Sequence, residues 1–203
     1  MDAQNVFANY DGMLDSNYAA TLLELGSDAS DWYVKASEDI VQFADAFDID
    51  HDTAAAVIAI LSPRVQVSRN ARLAAKYLLD GETEGIMDQR LKAIERYIRY
   101  GKINGYTHGH KVYAFYRNLS GDFSHVTVDT WMAKIYGVDF QKITDTQRAE
   151  IQADVTAIAE AAGITPAAAQ AALWVGYREL NGHNDSEGAL SMVEITEGIN
   201  EHA

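Results

Sequence analysis

Apolar residues recur at helical spacing along most of the chain and nowhere alternate over a run long enough for a set of half-buried strands. Residues 17 to 26 and 30 to 47 read as amphipathic helices, the second carrying Trp32, Ile40, Val41, Phe43 and Phe47. The loop from Asp48 to Thr53 offers several N-caps and leads into Ala54 to Leu61, which is apolar on nearly every face. A helix without a polar face belongs at the centre of a core. It ends at Ser62-Pro63, because proline steers the residue before it away from the α region. Further helices are predicted from Ser68 to Leu79, stopping at Asp80-Gly81, and from Ile86 to Tyr100, before Gly101.

In the second half, Val112, Phe115, Tyr116 and Leu119 recur on one helical face, followed by a turn at Ser120-Gly121-Asp122. The β-branched run Val126-Thr127-Val128 then leads to Asp129, placed to cap a helix carrying Trp131, Met132 and Ile135. Thr144 with Gln147 predicts a capping box for a helix that Gly163 terminates. Thr165 as N-cap and Pro166 at the first helical position start an alanine-rich helix to Leu180. A polar loop follows, and residues 187 to 203 are expected to form a last, acidic helix. The expected class is all-α, as one compact unit of 203 residues with two helical lobes around a cleft. Residues 54–137 are assigned to a barrel-type lobe, and 1–53 with 138–203 to an acidic helical lobe.

Charge divides the chain unevenly. The net charge of -14 argues against a phosphate-binding surface, which needs Lys and Arg. Residues 1–63 hold one base and 12 acids, and residues 118–203 hold 4 bases and 13 acids, whereas residues 64–117 hold 11 bases against 5 acids. The middle segment is therefore the one candidate for a nucleic-acid face, with His108, His110 and His125 able to add charge as pH falls. Solvated helix faces explain Arg90, Lys92, Arg96 and Arg99 equally well.

The absence of cysteine excludes disulfides, cysteine nucleophiles and thiolate metal sites. The six histidines match no ligand spacing and no glycine-rich phosphate loop is present, so neither a metal nor a cofactor is expected. The first residues lack a basic and apolar leader, and no stretch of 18 apolar residues exists, so a cytoplasmic protein without a membrane partner is expected.

Lys111 and Asp129 lie 18 positions apart, with the aromatic-rich helix between them. This block, with Gly109, Lys111 and Val128-Asp129-Thr130, resembles the helix-hairpin-helix DNA glycosylases, in particular the endonuclease III branch. The resemblance extends to residues 54–78, similar to that family's buried helix and duplex-wedging loop, and to Ala172-Leu173-Trp174-Val175-Gly176-Tyr177-Arg178, similar to its late W-x-x-G-R helix. Three departures stand out: Thr107 replaces one hairpin glycine, the four-cysteine iron-sulfur loop is absent, and the span from Ser62 to Lys111 is short for the family.

The resemblance implies a helix-hairpin-helix glycosylase-like fold and DNA as partner, with the target nucleotide extruded from the stack. It implies that Lys111 attacks the sugar C1′ as a neutral amine and that Asp129 stabilises the cationic sugar. It also implies that Gly109, with His108 and His110 beside it, grips a phosphate at a helix start, and that Arg64 or Gln66 fills the gap left by the base, with Arg69 on the same face. Each has a plainer reading. Gly109 fits a simple turn, Lys111 a surface position, Asp129 a helix N-cap and Arg64 a cap on the preceding helix C-terminus. Trp131, Trp174 and the tyrosines of the 113–116 segment read as core. Two other functions fit the same residues: a phage-type transferase that modifies activated thymine in DNA, and a non-catalytic DNA- or protein-binding protein.

Overall fold

The eight residues from Ala54 to Leu61 are all buried, and the other elements of their unit are arranged around them. A computed structural model describes residue 7 and residues 10–183 of the chain. Among them every regular element is helical. In chain order the α-helices are α1 (Ser16–Leu25), α2 (Trp32–Ala46), α3 (His51–Leu61), α4 (Val67–Asp80), α5 (Asp88–Tyr100), α6 (Gly105–His108), α7 (His110–Leu119), α8 (Thr130–Ile135), α9 (Asp145–Ala162) and α10 (Pro166–Leu180). The helix expected over 187–203 lies outside the described residues.

These residues fall into two compact units, one running from Val34 to Gly121 and the other built from the segments up to Tyr33 and from Asp122 onward. The division therefore groups 34–53 with the central helix and 122–137 with the terminal segments, unlike the lobe boundaries expected at 53/54 and 137/138.

In the 34–121 unit, α3 packs against α4, α5 and α7. Its small residues Ala54, Ala55, Ala56 and Ala59 are fully enclosed, while Val57, Ile58, Ile60 and Leu61 supply the bulk, each contributing about 1.5–3 kcal/mol on burial. The helix starts three residues earlier than the apolar pattern alone suggests. Asp50 is the N-cap and accepts from the Thr53 N–H and hydroxyl, both at 2.8 Å. The first turn also meets its neighbours through polar side chains, with Thr53 beside the Tyr97 phenol of α5 and Asp52 beside the Tyr116 phenol of α7. At the other end, buried Asn70 on α4 donates to the Ile58 carbonyl at 3.0 Å.

In the other unit, Leu22, Val126, Val128, Met132, Ile151, Val155, Ile158 and Leu173 form the core shared by α1, α8, α9, α10 and the extended run before α8. The capping box of Thr144 and Gln147 forms as expected, as do the N-cap by Thr165 and the helix end at Gly163. Buried Asp154 on α9 joins the N-terminal segment to this core. It accepts from the phenols of Tyr10 and Tyr136, each at 2.8 Å, and from the Met13 N–H at 2.6 Å.

Candidate nucleic-acid interface and reactive residues

The hairpin that carries Lys111 is two helices meeting at one residue. α6 and α7 are separated only by Gly109, whose φ of 93° and ψ of 147° put it in backbone space essentially restricted to glycine. A Cβ there meets nothing within 4 Å, so conformation rather than crowding demands glycine, and the backbone at this point is open to an approaching group. Residue 107, where the resembled family has a second glycine, lies within the regular turn of α6. The short helix α6 was not expected from the sequence, because four residues are too few to show a period.

Lys111 is the second residue of α7 and is half-buried. His110 is exposed. His108 differs from the expectation that it charges readily as pH falls: burial pushes its imidazole below the ordinary histidine range, the Ala93 backbone partly offsets this, and Arg96 adds to it. Its Nδ1 accepts from the Asn104 N–H at 3.5 Å, so it braces the hairpin from behind.

Asp129 is half-buried and caps α8 as expected, its Oδ1 accepting from the N–H groups of Trp131 and Met132, both at 2.9 Å. Among the described residues its Oδ2 accepts no hydrogen bond. The capping role thus engages one carboxylate oxygen. The approach is fixed by Val126-Thr127-Val128, all buried, with the Val126 carbonyl accepting from the Gln152 amide at 3.1 Å. Lys111 belongs to the 34–121 unit and Asp129 to the other.

Arg64 is exposed at the centre of a tight turn, with the Val65 N–H donating to the Ser62 carbonyl at 3.2 Å. Its φ of 64° is left-handed, a conformation that costs a side-chain-bearing residue about 1 kcal/mol. Among the described residues Arg64 makes no hydrogen bond or ion pair, so the helix-capping alternative finds no support. Arg90, for which a solvated helix face and a nucleic-acid face were equally open from sequence, is half-buried; burial and the charge of Arg64 both lower its pKa, and its Nε has no hydrogen-bond partner among the described residues. Two guanidinium groups therefore repel each other beside the turn.

Gln66 and Arg69 line one open groove of about 420 Å³ together with Ser68, Arg72 and Lys76. Lys76 is paired with Glu82 at 3.0 Å, whereas Arg69 and Arg72 make no ion pair among the described residues. The signal for Arg72 was available in the sequence, since it lies three positions after Arg69 on the same helical face.

The aromatic residues read as core are engaged within their own units. Trp131 has the Lys134 ammonium over its ring at 4.0 Å and lies near Tyr177 and His183, and Trp174 packs edge-on to Trp32. Among the described residues no cluster of His, Asp and Glu is arranged to hold a metal ion, and no helix is long and apolar enough to cross a membrane.

Residues 16–181 match the sequence model of a family described as a family of unknown function, DUF7178. No curated protein and no solved structure matches the chain.

Proposed function

The chain belongs to the DUF7178 family, whose description assigns no activity, and from its own residues we propose that it is a DNA base-excision N-glycosylase with Schiff-base lyase activity, of the helix-hairpin-helix type. The observation that carries this reading is the junction of α6 and α7. Gly109 exposes its backbone at a glycine-only conformation, the helix that follows directs the N–H groups of its first turn and a positive dipole end toward a phosphate, and Lys111 stands in that turn. A cation at a helix start is electrostatically misplaced by about 0.3–1 kcal/mol, and it makes sense where an anion binds or where a neutral amine is needed.

In the proposed reaction the neutral Lys111 amine attacks C1′ of the target deoxyribose and the N-glycosidic bond breaks, its electron pair leaving with the base, which takes up a proton. Ring opening with loss of the amine proton gives an imine between Nζ and C1′. Asp129, whose Oδ2 accepts no hydrogen bond among the described residues, supplies negative charge as the sugar becomes cationic. The exposed cations Arg64, Arg69 and Arg72 carry the phosphate contacts, which is how a chain of net charge -14 holds DNA.

Borohydride trapping on abasic DNA tests the reading. A covalent protein–DNA product is expected from the native chain and none from Lys111→Ala. Asp129→Asn is expected to slow base removal about a hundredfold with little change in DNA affinity. Absence of the crosslink, with a mass gain on a modified thymine and an intact glycosidic bond, assigns the transferase chemistry instead.

A further inference from the structure

Tyr106 is 98% exposed, on α6 three residues before Gly109 and five before Lys111. A tyrosine ring buries 150–250 Å² when it packs, so one left in water adds nothing to the stability of the fold. Single exposed rings are common and mean little alone. Here the neighbourhood is also unusual: Ile98 and Tyr100, at the end of α5, are 61% and 64% exposed, and the segment from Arg96 to Gly121 contains no Asp or Glu while carrying the exposed cations Arg96, Arg99 and Lys102. Tyr100 and Tyr106 are joined by six residues of chain, so they lie within about 22 Å of each other. Arg99 and Lys102 between them are exposed.

Exposed aromatic rings interleaved with cations and free of carboxylates are what an unpaired nucleic-acid strand requires, because any base can stack on a ring while its phosphates meet the cations. A regular duplex hides its base faces and leaves such rings without use. We infer that Tyr106, with Tyr100, forms a stacking platform for unpaired bases, so that this protein grips single-stranded or locally opened DNA beside the hairpin. The inference deepens the proposed function by naming the state of the substrate strand, and it rests on that reading only in taking the hairpin to face DNA.

The test is binding of the full chain to a fluorescein-labelled oligothymidylate and to a duplex of matched length. Native protein is expected to bind the single strand more tightly. Tyr106→Ala should weaken single-strand binding about tenfold, since one base stack is lost, while Tyr106→Phe keeps the ring and keeps the affinity. Duplex binding should change less than twofold in both. Because Tyr106 touches little of the fold, circular dichroism of the variants should match the native chain.

Equal affinity of Tyr106→Ala and native protein for the single strand overturns the inference. So does a loss as large in Tyr106→Phe, which assigns the hydroxyl rather than the ring, or a change in oligomeric state without a change in DNA binding, which makes the patch a contact between copies. The two proposals fail separately. Weakened single-strand binding without any borohydride crosslink removes the glycosylase chemistry and keeps the platform, and a crosslink with an indifferent Tyr106→Ala does the reverse.

Discussion

The backbone of Gly176 on α10 lies directly against the carbonyl of Leu22 on α1, so that a Cβ at Gly176 would collide with the main chain of the other helix. Gly26 makes the reciprocal approach to the Ala172 carbonyl. The two helices thus cross at backbone contact, and neither can yield by turning a side chain. Gly176→Ala is expected to cost about 3 kcal/mol, at the upper end for overpacking, with a lower denaturant midpoint and an unchanged slope. A midpoint within error of the native chain would show that the crossing is looser than this.

Asp154 is expected to be the most sensitive polar residue of its unit. It is 5% exposed and takes three donors, from Tyr10, Tyr136 and Met13, so Asp154→Asn replaces an acceptor-only group by one whose amide hydrogens face other hydrogens. The loss should be about 2 to 3 kcal/mol in urea unfolding. Tyr136→Phe, which removes one donor and leaves the carboxylate two others, should cost less.

The same phenols set an alkaline limit. Burial, reinforced by Asp154, raises the pKa of both Tyr10 and Tyr136 in the folded chain, and burial with the charge of Asp52 pushes Tyr116 up to about 12. A phenol raised above its ordinary value of 10 favours the folded state fully below pH 10, where both states are neutral at that group, and loses this contribution as pH rises through its folded pKa. Stability should therefore fall between about pH 10 and 12. Phenolate absorbance should show Tyr10, Tyr116 and Tyr136 ionising only above the ordinary phenol range, together with unfolding. Ionisation of all eleven tyrosines in one step below the unfolding pH would contradict this.

Helix positions were legible because their signals are local: a capping box at Thr144, proline at 166, and an apolar run at 54–61 that had nowhere to go but a core. Asp129 as N-cap was legible for the same reason. What could not be read is what depends on side chains meeting across the fold. Nothing in the sequence pairs Tyr10 with Asp154, 144 positions apart, or shows that Arg90 faces Arg64. Gly176 illustrates the limit from the other side. Its place in the 172–178 segment, two residues after Trp174, was visible, but its physical role as a helix crossing was not.

Arg64 separates strain from stability. Because its left-handed backbone suits glycine better, Arg64→Gly gains relief of about 1 kcal/mol and loses a similar amount to the entropy of the unfolded glycine. The thermal midpoint should therefore hardly move. DNA affinity should drop, and its salt dependence should flatten by about 0.9 in log–log slope if one phosphate contact is lost. A marked loss of stability with unchanged DNA affinity would make Arg64 a structural residue after all.

Gly109 offers the converse case, a residue whose substitution should harm function more than folding. Space is not the obstacle, since a Cβ there meets nothing within 4 Å, but a φ of 93° with ψ of 147° is closed to alanine. Gly109→Ala must therefore rotate the junction of α6 and α7, and the rotation moves the first turn that carries Lys111 and the N–H groups proposed to hold a phosphate. The site is exposed, so the rest of the unit can keep its core around Ala54 to Leu61. The expected result is a global stability loss of about 1 to 3 kcal/mol together with loss of most of the borohydride crosslink and a clear fall in DNA affinity. Restoring the backbone preference without restoring glycine, by D-alanine at position 109 in a semisynthetic chain, should recover both. Recovery of stability without recovery of DNA binding would mean that an open approach to the backbone, and not only its conformation, is what position 109 supplies.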